Sequence, residues 1–107
     1  MTPRGGSTAV GLLCMPLVDD IDTAVRDLGY IAGSSGRQLA DTLRYQPGDN
    51  WLPELSNMIA YERAVTVAVL SEKHCAGEEL AITGFGVTIA TPDRTITYLS
   101  LRPGLFS

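Results

Sequence analysis

The chain has 107 residues and is 45% hydrophobic, enough for one folded core and too short for two. Twelve acidic residues face 8 basic ones, a net charge of -4, and no Lys or Arg run occurs anywhere. That balance argues against nucleic acid and anionic membrane surfaces as partners, because both are held by clustered cationic side chains.

Residues 1–7 contain Pro3, Gly5, Gly6 and Ser7 without any apolar period, and are expected to form a flexible lead-in to a single domain over 8–107. Thr8 to Val18 is a continuous apolar run interrupted by Pro16, expected as a buried or edge strand that ends near the proline. Arg4 followed by this run has the outline of a secretory signal. The small-residue cleavage site is missing, since Pro16, Leu17 and Val18 lead straight into Asp19 and Asp20. The ten residues from Ala9 to Val18 are also too few to span ~30 Å of hydrocarbon.

From Asp19 the period becomes helical. Ile21, Val25, Leu28 and Ala32 form one stripe, with Asp19 or Asp20 as cap and Gly33 as stop. A second helix is expected after Ser35, where Ser35 and Gln38 have capping-box spacing and Leu39, Ala40 and Leu43 turn inward, until Pro47-Gly48. A third runs from Trp51 to Glu62, with Pro53 in the first turn, where its missing N–H costs least.

Ala64 to Ser71 reads as a central strand, β-branched and apolar on both faces. Leu80 to Ala90 and Thr95 to Leu101 read as two strands around the turn Thr91-Pro92-Asp93-Arg94. The expected register sets Ile89 opposite Ile96, Val87 opposite Tyr98 and Phe85 opposite Ser100. A β-bulge at Gly84-Phe85-Gly86 would bring Leu80 and Ile82 into phase.

The expected fold is therefore α+β: an N-terminal strand, three helices, then a three-strand antiparallel segment ending in a hairpin, with the helices packed on one face of the sheet. The other face would carry Thr66, Thr88, Thr95, Thr97, Leu99 and Leu101, and a homo-oligomer would bury it through Thr95, Thr97, Leu99, Leu101 and Phe106.

Motifs for catalysis are weak. His74, Cys75, Glu78 and Glu79 are the densest group of ionisable side chains, but neighbours on an extended chain point to opposite sides, so His74 is poorly placed to activate Cys75. The group also lacks the second Cys or His pair of a zinc site. Asp19, Asp20 and Asp22 can hold a hard cation, yet acids in a helix's first turn are explained by capping and the dipole. Ser34, Ser35, Gly36 and Arg37 can receive an anion if they feed a helix N-terminus. These four residues with His74 and Glu78 are the candidate ligand-binding residues; no catalytic residue, metal or cofactor is assigned.

Cys14 and Cys75, 61 positions apart, are expected as free thiols in a cytoplasmic protein. Two functional classes follow. The first is a non-catalytic binding or regulatory protein acting through protein–protein contacts, as a homo-oligomer or with another protein. The alternative is a small-molecule-binding protein or small enzyme with a pocket between helices and sheet.

Overall fold

The computed structural model describes residues 8–98. Its elements run β1 (Thr8–Cys14), α1 (Ile21–Ser34), β2 (Gln38–Tyr45), α2 (Trp51–Glu62), β3 (Thr66–Ala68), α3 (Glu79–Gly84), β4 (Thr88–Ala90) and β5 (Thr95–Ile96), with short 3-10 turns at Met15–Leu17 and Glu72–Cys75. The five strands form one sheet in the order β2-β1-β3-β4-β5. The first four are parallel, and only β4 with β5 is antiparallel.

Alternation along the strands assigns the two faces. Val10, Leu12 and Cys14 of β1, Val67 and Val69, Ile89 and Ile96 point to one side and pack with Trp51, Leu55 and Ile59 of α2 and Ile82 of α3. Ala9 and Leu13, Ala68 and Ala90 point to the other and meet Ala24, Leu28, Ile31 and Ala32 of α1. Apart from Leu13, the centre of the α1 side of the sheet is thus built from small residues. Gly11 completes it: a Cβ there would stand 2.6 Å from Leu28 Cδ1 and 3.0 Å from Thr42 Oγ1.

This arrangement corrects the sequence-based fold in three places. The helix expected after Ser35 is strand β2, paired with β1 through seven positions from Thr8↔Gln38 to Cys14↔Tyr45. β1 is almost wholly buried, so both of its edges need hydrogen-bond partners, and β3 covers only Ala9 to Gly11. Strand β2 supplies the rest. An irregularity in the ladder leaves Ala40 as an extra residue, which breaks the two-residue alternation and makes Leu39 and Leu43 look helically spaced.

The second correction is at Leu80 to Gly84, which is helix α3 rather than the start of a strand or a bulge. β3 and β4 are parallel, and a parallel pair needs a crossover, which the segment from Leu70 to Val87 provides. Ile82 and Thr83 face inward, and the Thr83 hydroxyl donates back to the carbonyls of Glu79 and Leu80. Phe85 caps this helix, so it does not stand in the hairpin ladder. The hairpin register itself agrees where it is formed, at Ile89↔Ile96 and Ala90↔Thr95. Ser100 lies outside the described residues.

Third, the helices occupy both faces of a mostly parallel sheet, not one face of an antiparallel one. Part of the face left open in the sequence reading is covered by α1: Thr66 is buried there and shares a 3.1 Å hydrogen bond with the Thr88 hydroxyl. Thr95 and Thr97 are exposed, while Leu99, Leu101 and Phe106 lie outside the described residues. Among the described residues no helix is long and apolar enough to cross a membrane.

Candidate functional site

In a doubly wound sheet, chain connections leave in opposite directions at one point of the strand order, and the carboxyl ends of the strands on either side frame a crevice. Here that point lies between β1 and β3: β1 is followed by α1 and then β2 on one side, and β3 leads toward β4 on the other. The crevice therefore opens beyond Cys14 and Val69.

On the α2 side it is plugged. The backbone N–H of Cys14 donates to His74 Nδ1 at 2.9 Å, and the Tyr45 hydroxyl donates to the His74 carbonyl at 2.5 Å. Tyr45, at the end of β2, stacks on Trp51 at the start of α2, with ring centroids 4.4 Å apart. His74 and Cys75 are the two buried residues of the Glu72–Cys75 turn, and both cysteines are free.

The electrostatics match a dry plug. Burial lowers the His74 pKa and keeps the ring neutral. Burial also pushes the Cys75 thiol up to about 12, with the carboxylates of Glu79 and Glu72 adding to the effect. The Tyr45 phenol is raised well above its ordinary value by burial first, and then by the neighbouring Cys14 and Cys75 thiols. A protonated thiol beside a histidine whose Nδ1 is already occupied has no base to activate it.

On the α1 side the crevice is open. Leu17, Val18, Ala24 and Leu70 form the apolar wall of a groove of about 230 Å³, and Asp19, Asp20, Asp27 and Thr23 give it a polar rim. The sequence makes this groove because the Met15–Leu17 turn carries the chain from the end of β1 to the cap of α1, placing Asp19 and Asp20 above the strand ends. Thr23 donates to Asp20 Oδ2 at 2.6 Å. That bond is the main reason the Asp20 carboxyl lies below its ordinary value, helped by the nearby amides of Asp22 and Thr23 and by Arg26.

The candidate residues from the sequence fall in two separate connections. Ser34, Ser35, Gly36 and Arg37 join α1 to β2, whose first residue pairs with the first residue of β1. His74 and Glu78 lie after β3, with His74 bonded to the last residue of β1, so the two groups sit toward opposite ends of that strand. The loop at Ser35 feeds a strand, and the helix that ends there presents carbonyls, which removes the N-terminal amides the anion argument relied on. Ser34 Oγ donates to the Tyr30 carbonyl, and Ser34 and Ser35 border a second groove of about 280 Å³ against Thr91–Thr95. Glu78 is exposed, and its N–H donates to the Cys75 carbonyl at the start of α3. Asp22 does not line the acidic groove, and among the described residues no cluster of three or more His, Cys, Asp or Glu is arranged to hold a metal ion.

Cys14 and Tyr45 are the partners that sequence reasoning missed for His74 and Cys75. Both end strands that run parallel to one another, and parallelism is what brings residues 31 positions apart together. Leu70 joins Asp19 and Asp20 for the same reason. Compared with known protein families, curated proteins and solved structures, the chain matches none.

Proposed function

We propose that the chain is a small non-catalytic binding protein whose ligand, an amine carried on an apolar body, sits in the groove between the Met15–Leu17 turn, the first two turns of α1 and Leu70. The observation that carries this reading is the position of the groove: it lies at the strand ends where doubly wound sheets take their ligands, and its lining has three carboxylates against no Lys or Arg, with Arg26 beside Asp20 outside the lining. An ammonium group fits the rim through charge-assisted hydrogen bonds, and Leu17, Val18 and Leu70 offer the attached carbon skeleton a dry wall. An anion would meet like charge there.

The test is an NMR titration with phenethylamine and, as control, phenylpropionate, which has a similar body and the opposite charge. The amine should shift the amides of residues 17–24 and Leu70, and Asp19→Asn with Asp27→Asn should abolish the shifts. Equal shifts from the carboxylate, or none from the amine at millimolar concentration, would reject the reading.

A further inference from the structure

We propose that His74 is an acid-sensitive latch that holds the Glu72–Cys75 turn closed against the end of β1. The argument begins with one hydrogen bond. A backbone N–H can only donate, so His74 Nδ1, 2.9 Å from the Cys14 nitrogen, must be unprotonated, and the neutral ring carries its proton on Nε2. Protonation would set two donors against each other in a place where His74 is only 3% exposed and water cannot intervene.

The surrounding groups give the cation no compensation. From β1 comes the Cys14 thiol; from β2, the Tyr45 hydroxyl, already spent on the His74 carbonyl; from the turn itself, Cys75 and Glu72; from α3, Glu79. Glu72 is held by Arg94 at 2.8 Å, and no described carboxylate hydrogen-bonds the imidazole. Desolvation accordingly lowers the His74 pKa.

The latch can open without unfolding the sheet. Glu72, Lys73, Ala76, Gly77 and Glu78 are all exposed, so the segment is secured by His74, Cys75, the Tyr45 bond and the solvent-exposed Glu72–Arg94 ion pair. Within it Ala76 holds the left-handed conformation at φ 53°, which is unfavourable for a residue with a Cβ. The β1–β2 ladder and the α1 contacts do not pass through it, and on the α2 side it contributes Cys75 alone to the buried cluster. Because the folded pKa lies below the ordinary 6.5, closure is fully supported above pH 6.5 and weakens as pH falls through the folded value.

Nitrogen-15 NMR of the wild-type protein from pH 8 to pH 4 tests this. The ring should show the Nε2–H tautomer at neutral pH and titrate below 6.5. With that midpoint the Cys14 amide and the amides of residues 72–78 should move, and the Cys14 protection factor should fall by up to about tenfold per pH unit between 6.5 and the midpoint and level off beneath it. Amides of α1 and α2 should stay protected. His74→Gln keeps an acceptor but cannot titrate, and should abolish the transition. Titration at or above 6.5 with Cys14 unmoved, no ring titration before acid unfolding, or loss of protection throughout the chain at the same midpoint would each overturn the latch.

Discussion

Replacing Gly11 with Ala tests the closeness of α1 to the sheet. Two effects compete. A glycine inside a strand loses more backbone freedom on folding than alanine does, so the substitution alone would stabilise by about 0.5–1 kcal/mol. Against this, the new methyl would lie 2.6 Å from Leu28 Cδ1 and 3.0 Å from Thr42 Oγ1. Leu28 is fully buried among Ala9, Leu13 and Ala32, so its side chain cannot swing away freely. Overpacking of this kind costs about 1–3 kcal/mol, which exceeds the entropic gain. The expected net is a loss of roughly 1–2 kcal/mol, or about 5–10 °C in Tm for a domain of this size. Urea unfolding followed by Trp51 fluorescence should show a lower midpoint with an unchanged slope. Leu28→Ala alone should cost about 2–5 kcal/mol through its cavity, and in that background Gly11→Ala should become neutral or stabilising. The cycle would then give a coupling of about 1–2 kcal/mol. An unchanged or higher midpoint for Gly11→Ala, or the same cost in both backgrounds, would refute the reasoning.

Ala76→Gly should stabilise by roughly 0.5–1 kcal/mol, because Ala76 sits at φ 53° and the left-handed penalty exceeds glycine's entropic cost; a lower urea midpoint would contradict this. A thiol reagent should find two cysteines in the denatured, unreduced chain and neither within minutes in the native protein, since Cys14 and Cys75 are free and buried. Stability should fall on the alkaline side: the unfolded Cys75 thiol ionises near pH 9 and the folded one at about 12, so its contribution is whole below 9 and is lost as pH rises toward 12. Chemical denaturation across that range should show a shallower decline for Cys75→Ala.

Periodicity was a sound guide where a residue's neighbours are local. The stripe Ile21, Val25, Leu28 and Ala32 is α1, Trp51 to Glu62 is α2, and the Pro92 turn sets the Ile89↔Ile96 register. It misled where the partner is distant. Gln38 to Tyr45 has no strong preference of its own and becomes a strand because β1 needs an edge filled, while the extra residue at Ala40 disguises the alternation. Glu79 to Gly84 is helical because a parallel β4 requires a crossover, a demand that no local property of Leu80 or Ile82 expresses. The site divides in the same way. His74 with Cys75, and Asp19 with Asp20, are visible as sequence neighbours, but Cys14, Tyr45 and Leu70 join them only through strand direction.

The place of β1 between β2 and β3 has a kinetic consequence. Its β2 side pairs with residues about 30 positions away, whereas its β3 side waits for Thr66 to Ala68, and the Thr8 carbonyl for the N–H of Val65. A chain emerging vectorially can assemble β1, α1 and β2 first, leaving the inner edge of its most apolar strand unpaired until the second half arrives. For that interval the nascent half-domain carries a sticky edge. Slow elongation between Pro47 and Ala64 should raise aggregation more than an equal pause after Ala90, when the edge has closed.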